Sequence, residues 1–147
     1  MRISAKARYG LATMIYFATR HPYQGKFTVG EVSETLGISK IYLEQVFTQL
    51  RKSGIVQATK GPQGGYSLTR LPEEITAYEV LEATETGLFD QTPATVEEGA
   101  SYIERAMTDR VFTPLDGAVR DMLSAVTLSD LADAARANNA AGYMYYL

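Results

Sequence analysis

Apolar residues recur along the first twenty positions at the spacing of one helix face. Over residues 4–20 they fall three or four positions apart, with polar and charged residues between them. This pattern predicts an amphipathic helix with one buried side. Pro22 and Gly25, both poor helix residues, are expected to end it. The apolar set consists of Ile3, Ala7, Leu11, Met14, Ile15 and Ala18.

Two shorter helices are predicted next. Thr28 and Glu31 have the spacing of a capping box, so a helix begins there and is expected to end at Gly37. Ser39 then caps a second helix, KIYLEQVFTQLRKSG, which ends at Gly54. Two short helices joined by a tight turn form a helix-turn-helix. The buried side of the second helix is predicted to contain Ile41 (or Tyr42), Leu43, Val46, Phe47 and Leu50.

The glycine-rich stretch KGPQGGY, residues 60–66, has two interpretations. The flanking runs IVQAT and YSLTR are rich in β-branched and aromatic residues, which predicts a β-hairpin. A phosphate-binding loop carries its lysine after the glycines and opens into a helix, whereas Lys60 precedes the glycines and a strand follows. A hairpin placed after a helix-turn-helix predicts a wing, whose glycines let the backbone approach DNA. A plain surface hairpin is the alternative.

Further helices are predicted in the second half of the chain. Thr76 and Glu79 form another capping box at the start of a short helix, and residues 86–95 are expected to be a loop. Another helix is predicted over residues 96–110 from the alignment of its apolar residues. The last helix is predicted to begin at the pair Thr127 and Asp130 and to end at Asn138 and Asn139.

The segment TPLDGAVRDMLSAV predicts a helix that needs a partner. Pro114 is tolerated in a first turn, and the apolar face that follows is broad. A short acidic segment cannot bury such a face alone, so we expect helix-against-helix packing in a two-fold dimer. The alternative is that the helix folds back onto its own winged domain. The expected dimer seam consists of Leu115, Val119, Met122, Leu123 and Val126.

The net charge of −3 conceals an uneven distribution of charge. Residues 1–70 contain ten lysines and arginines against three acidic residues, a balance of +7. Residues 71–147 contain four against fourteen, a balance of −10. A basic half suggests binding to a polyanion such as DNA. The alternative is that the charges only keep two faces of the protein in solution.

Composition excludes several classes of function. The chain has no cysteine and one histidine, His21, so disulfides, thiolate metal sites and cysteine nucleophiles are ruled out. The sequence shows no signal peptide and no stretch near the ~18 apolar residues of a membrane span. We therefore expect a cytoplasmic protein without membrane association.

A combination of five segments is specific enough to indicate a family: MRISAKARYGL, ISKIYLEQVFTQLRKSGIV, KGPQGGYSL, ITAYEVLEA and VTLSDLA. Together they resemble the Rrf2 family of bacterial winged-helix transcription regulators. The resemblance implies a homodimer on double-stranded DNA, with the recognition helices in successive major grooves and the wings in flanking minor grooves. The residues expected to bind DNA are Arg2, Lys6, Tyr9, Thr28, Ser39, Lys40, Ile41, Tyr42, Glu44, Gln45, Lys60 and Gly61.

Glu44 has two interpretations within this set. A carboxylate at a DNA surface is repelled by phosphate but can accept a hydrogen bond from cytosine N4. We favour base recognition by Glu44. The alternative is a surface glutamate paired with Lys40.

One departure from the family concerns its cofactor. Relatives that bind an iron–sulphur cluster carry three cysteines in the stretch matching residues 88–112, and this chain has none. The resemblance therefore implies the cluster-free branch, typified by a repressor of cysteine metabolism, and no cofactor. The ending AGYMYYL is similar to that of this repressor, whose complex with cysteine synthase carries the metabolic signal. We expect cysteine synthase or a small-molecule effector as the regulating partner; ordinary packing of the tail is the alternative.

The predicted fold is mainly α, a winged helix-turn-helix with a small β-hairpin wing and a helical dimerisation region. Residues 1–84 form the DNA-binding domain, residues 85–112 correspond to the cluster-binding region of relatives, and residues 113–147 contain the dimerisation helix, last helix and tail. The predicted function is a homodimeric repressor and not an enzyme, with cysteine or sulphur metabolism as the regulated pathway. The alternatives are an adaptor that no longer binds DNA and a nucleotide-binding protein that uses KGPQGG.

Overall fold

The computed structural model describes residues 1–145, and their side chains through residue 142. The fold is mainly helical with one antiparallel hairpin, as predicted. A 3-10 turn at Pro72–Glu74 and a π-helical turn at Thr108–Phe112 supplement the regular elements. These elements are α1 (Ala5–Arg20), α2 (Val29–Leu36), α3 (Lys40–Lys52), β1 (Val56–Thr59), β2 (Gly65–Leu68), α4 (Ala77–Thr84), α5 (Glu97–Met107), α6 (Thr113–Ser124) and α7 (Leu128–Tyr145).

Helix α1 lies at the centre of the core. It packs against α3, α4 and α7, and its Met14 and Phe17 are fully or almost fully buried. The last helix also contributes to this core, because Leu128 and Ala132 belong to the same apolar cluster. All six residues of the apolar face predicted for α1 are buried or half-buried, and α7 completes the domain that carries the helix-turn-helix.

Side-chain caps define where several helices begin. The Ser39 hydroxyl accepts the backbone N–H of Tyr42 at 3.2 Å, as predicted. The box of Thr76 and Glu79 is complete in both directions, at 3.2 and 2.9 Å. Thr127 and Asp130 likewise exchange two hydrogen bonds of 3.0 Å. These helix starts follow from residues close in sequence, which is why the sequence predicts them.

The predicted capping box at the start of α2 is only half formed. The Thr28 hydroxyl accepts the Glu31 N–H at 3.1 Å. The Glu31 carboxylate does not return to Thr28; it accepts hydrogen bonds from Gln24 Nε2 at 2.6 Å and the Tyr16 hydroxyl at 3.3 Å. Tertiary neighbours on α1 and on the segment before α2 therefore replace the local partner.

Two predicted helix ends are wrong. Helix α7 does not end at Asn138 and Asn139 but continues to Tyr145. Asparagine is only a weak helix breaker, and the alanines on both sides are strong helix formers. Helix α6 ends at Ser124, so Val126 lies in the connection to α7, where its carbonyl accepts the Ala77 N–H at 2.8 Å.

Helices α5 and α6 are joined through the π turn without a loop between them. Pro114 has no N–H to donate to the carbonyl four residues earlier, so the regular pattern cannot pass through it. At the residue just before this proline, the Thr113 N–H donates to the Thr108 carbonyl five residues earlier and closes the π turn. No residue of α6 is fully buried in the single chain.

Among residues 1–145, no helix has the length and apolar character needed to cross a bilayer.

Glu79 joins the end of the hairpin to α4. Its carboxylate accepts the Thr76 N–H at 2.9 Å and a 2.6 Å bond from the Arg70 guanidinium. Burial alone would raise the pKa of the Glu79 carboxyl, but these two interactions together lower it below its ordinary value. A carboxyl with a lowered folded pKa stabilises the protein above its unfolded pKa and loses this effect as pH falls through the folded pKa.

We predict that Glu79→Gln reduces the free energy of unfolding by about 0.5–1 kcal/mol near pH 7. The difference from wild type should shrink as pH falls below about 4, where the wild-type carboxyl also becomes neutral. Urea unfolding at several pH values measures both effects. Glu82→Gln, an exposed glutamate on the same helix, is the matched control. Equal losses for the two variants at every pH would contradict the assignment to Glu79.

Candidate nucleic-acid interface

The turn between α2 and α3 is fixed by side chains at both of its ends. The Ser33 hydroxyl donates to the Ile38 carbonyl at 2.6 Å, and the Ile38 side chain is buried. Ser39 caps α3 as described above. These contacts fix where α3 begins and leave Ser39 and Lys40 exposed to solvent.

Helix α3 separates sharply into a buried and an exposed face. Leu43, Val46, Phe47 and Leu50 are completely buried, as predicted. Ile41 was one of two candidates for the buried side, and it is 73% exposed while Tyr42 is half-buried. An isoleucine exposed in the first turn of this helix is available for apolar contact with a thymine methyl group. The exposed residues of this first part of the helix are Lys40, Ile41, Glu44 and Gln45.

Glu44 has no charged partner within the described part of the chain. The ion pairs found there are Arg70–Glu79 and Arg136–Asp133. The alternative pairing of Glu44 with Lys40 is therefore not present. The Glu44 side chain is exposed on the same helix segment as Ile41.

Helix α1 supports the exposed segment through an aromatic contact. The rings of Tyr9 and Tyr42 meet edge to face with centroids 5.1 Å apart. Tyr9 is 37% exposed, Arg2 is exposed and Lys6 is half-buried. The structure thus brings Tyr9 of α1 to α3, the helix predicted to recognise DNA. Lys6 lies in the first turn of α1, and Arg2 lies just before this helix.

The predicted wing is present as a two-stranded hairpin. Residues Val56 to Thr59 pair with Leu68 to Gly65, so the KGPQGG loop connects two strands and does not open into a helix. Gly61 has a φ of +98°, which favours glycine, and a Cβ at Gly64 would collide with the Thr59 carbonyl. Lys60 lies in this tight loop and is exposed. The arrangement agrees with a wing and not with a phosphate-binding loop.

The wing is anchored by aromatic residues that the sequence alone does not reveal. The Tyr66 ring stacks on Phe47 of α3 at 4.1 Å between centroids and 5° between planes. The main chain of Tyr66 also exchanges two 2.8 Å hydrogen bonds with Phe27. An aromatic residue just after a glycine-rich turn was the available signal, but its partner is 19 residues away in sequence.

The remaining predicted residues lie near the start of the helix-turn-helix. Thr28 is exposed at the N-terminus of α2. On the same helix, Gly30 approaches the Lys40 side chain: a Cβ there would lie 3.9 Å from Lys40 Cε. The first turns of α2 and α3 are therefore neighbours.

The region that corresponds to the cluster site of relatives offers other chemistry here. The chain has no cysteine. In the part of the chain that the structure describes, no three His, Asp or Glu side chains come together as a metal site. Glu104, a buried carboxylate in this region, accepts the N–H groups of Thr95 and Val96 at 2.9 and 2.8 Å. It holds the loop before α5 in place. These residues do not fit an iron–sulphur cluster.

Transcriptional regulators are similar to this chain in sequence and in fold. The family model Rrf2, described as "Iron-dependent Transcriptional regulator", matches residues 3–134. HTH-type transcriptional regulator IscR of Erwinia tasmaniensis is 35% identical over 131 residues, which are 89% of this chain and 78% of that protein.

Two solved structures give the same result. CymR, the global cysteine regulator of B. subtilis, is similar with a TM-score of 0.73 at 31% identity, covering 90% of this chain and 97% of that one. IscR of T. potens has a TM-score of 0.71 at 32% identity, covering 99% and 97%. These relatives are regulators and not enzymes, which confirms the prediction that this protein is not an enzyme. The chain belongs to the Rrf2 family, and it is a DNA-binding transcriptional regulator with a winged helix-turn-helix.

Proposed function

We propose that the protein is a homodimeric repressor that blocks a promoter by occupying two half-sites of a roughly palindromic operator. The observation that carries this proposal is the exposed first part of α3, where Ile41 and Glu44 face solvent in a domain whose basic residues outnumber its acidic ones. Apolar and carboxylate side chains at this position can read base edges. The wing with Lys60 would add contacts to phosphate or the minor groove.

Helix α6 supports the dimer. In the single chain Leu115 is 53% exposed and Met122 is 62% exposed. Val119 and Leu123 are half-buried beside an apolar groove of about 390 Å³ whose other walls include Ile3 and Leu81. A second copy related by two-fold symmetry would cover Leu115 and Met122, because an isologous contact pairs each face with itself.

Cysteine or sulphur metabolism is the pathway we propose for regulation. The support is the structural similarity to CymR, which is described as a global cysteine regulator. We also propose that no iron–sulphur cluster takes part, since the chain has no cysteine to bind one. The protein would act in the cytoplasm, where its DNA target lies. Cysteine synthase or a small molecule would supply the signal. The cysteine synthase contact predicted at the tail depends on the side chains of residues 143–147, which lie outside the side chains that the structure describes.

We predict that Lys60→Glu weakens binding to all DNA sequences. The affinity of the wild type should fall steeply with salt. In the variant, the magnitude of the salt slope should be lower by about one per wing, because a complex with fewer phosphate contacts releases fewer counterions. Fluorescence anisotropy over a salt series measures this slope. Arg105→Glu, the same charge reversal on the exposed surface of α5, should leave it unchanged. Unchanged affinity for Lys60→Glu at low salt would refute the wing contact.

We predict that Glu44→Ala relaxes the base preference at one position in each half-site. Discrimination at that position should fall by on the order of 1–3 kcal/mol. Affinity selection from a random DNA library compares the preference profiles of variant and wild type. The matched control is Glu34→Ala, an exposed glutamate on α2. An unchanged profile for Glu44→Ala would show that this residue only occupies the surface.

We predict that the wild type sediments as a dimer at micromolar concentration. The double variant Leu115→Glu, Met122→Glu should weaken dimerisation by more than about 100-fold, because it places unpaired carboxylates in the seam. Both side chains are exposed in the single chain, so the protomer should still fold, and its circular dichroism checks this. Ser124→Glu on the same helix is the control. A monomeric wild type would refute the dimer and the palindromic operator.

A further inference from the structure

A second surface of interest lies away from the helix-turn-helix. A cavity of about 380 Å³ opens between the loop that follows α4 and the π turn with α6. Its size falls within the range of small-molecule sites in proteins. Two aromatic rings, Phe89 and Phe112, contribute apolar wall, and the rest of the lining is mostly polar.

The uncharged polar side chains around this cavity are not used by the fold. Gln91, Thr92, Thr108 and Thr113 make no side-chain hydrogen bond to any other residue in the described part of the chain. They are therefore free to bind a polar molecule. A larger cavity of about 420 Å³ at the end of α1 differs in this respect.

The polar groups of that larger cavity are already engaged. Its Gln24 donates to the Lys26 carbonyl and to Glu31, and its Arg70 is bonded to Glu79 and to the Glu74 carbonyl. Binding a polar molecule there would require breaking these hydrogen bonds. The smaller cavity near α6 is the better candidate site.

Two opposite charges face the smaller cavity without pairing with each other. Asp116 and Arg120 are one helical turn apart on α6, a spacing at which such residues often form an ion pair. No ion pair joins them in the structure as described. The Arg120 guanidinium lies 5.9 Å from the centre of the Tyr78 ring, and Tyr78 packs edge-on against Phe89 at 4.9 Å. Arg120 is thus positioned by a cation–π contact on one side of the cavity.

The local backbone contributes to the shape of the site. Thr108 and Thr113, which are joined by the π-type hydrogen bond, both line the cavity. Single π turns inside α-helices occur frequently at functional sites. Gly117 also lines the cavity, and a Cβ built there would meet no atom within 4 Å. The glycine therefore leaves open space that a larger side chain would fill.

We propose that this cavity binds a small zwitterion of the α-amino acid class. Arg120 would bind the carboxylate of the ligand, Asp116 would bind its ammonium group, and the threonine hydroxyls with Gln91 would contact its polar remainder. A ligand with both charges satisfies both side chains, whereas a simple anion or cation would leave one of them unmatched. The proposal concerns binding alone and does not depend on DNA recognition.

The experiment is a thermal-unfolding titration of the full-length protein, without DNA, against each of the twenty free amino acids. At least one should raise Tm saturably, by about 4 °C when present at ten times its dissociation constant. The amide and the N-acetyl derivative of the same amino acid, each lacking one charge, should bind at least about tenfold more weakly. The absence of any saturable shift would overturn the proposal.

Three variants locate the site. Asp116→Asn and Arg120→Gln should each abolish the shift, and so should Gly117→Leu, which fills the cavity while replacing glycine by a better helix former. Asp121→Asn on α6, Arg110→Gln in the π turn and Gly99→Leu on α5 are exposed controls outside the cavity lining, and they should keep the shift. A shift that persists in the three site variants, or that disappears equally in the controls, would place binding elsewhere and overturn the proposal.

Discussion

Two stacked aromatic pairs determine the geometry of the DNA-facing surface. Phe17 of α1 stacks on Phe27 at 4.0 Å, and Phe47 of α3 stacks on Tyr66 of the wing at 4.1 Å. The pair of main-chain hydrogen bonds between Phe27 and Tyr66 links the two stacks. The recognition helix, the wing and the central helix are consequently joined through groups that bury large apolar areas. The helix and the wing therefore present their exposed residues in a fixed relation to each other, which a duplex with fixed groove spacing requires.

The same central helix connects this surface to the C-terminal half. Gly10 allows α1 to approach α4 closely, since a Cβ there would lie only 2.9 Å from the Thr84 methyl group. At its other end, the Arg136 guanidinium of α7 donates to the carbonyls of Ala18 and Thr19 at 3.1 and 3.0 Å. The last helix therefore donates hydrogen bonds to the C-terminal end of α1, where the Ala18 carbonyl also accepts the His21 N–H at 3.3 Å. Helix α4 in turn contacts α6, α1 and α3, so packed elements run without interruption from α6 to the helix-turn-helix.

The sequence predicts those features that depend on near neighbours. The caps at Ser39 and Thr76, the hairpin around KGPQGG and the buried face of α3 all follow from spacings of a few residues. Features that depend on partners farther away in the sequence cannot be predicted from such spacings. Glu31 leaves its local cap for Gln24 and Tyr16, and Tyr66 anchors the wing on Phe47.

The proposed DNA-binding surface and the proposed amino-acid site also differ in how far the sequence predicts them. The DNA-facing residues lie mostly on one helix and one hairpin, so a motif predicts them. The cavity near α6 is assembled from a loop, a π turn and a helix whose relative placement no local pattern encodes. Its two charges, Asp116 and Arg120, look in the sequence like an ordinary pair on a helix surface. In the described structure no ion pair joins them, and Arg120 lies against the Tyr78 ring.

The uneven distribution of acidic residues would favour one orientation of the molecule on DNA. The second half carries a balance of −10, so phosphate would repel it and favour an orientation in which it lies away from the duplex. Within the basic half, the Glu31 carboxylate is held by Gln24 and Tyr16, whereas Glu44 is exposed on the recognition helix without a charged partner in the described structure. In the proposed DNA complex, a carboxylate at this position would weaken binding to DNA in general. It would be compensated only where a base offers a donor, and it would in this way convert non-specific attraction into selectivity.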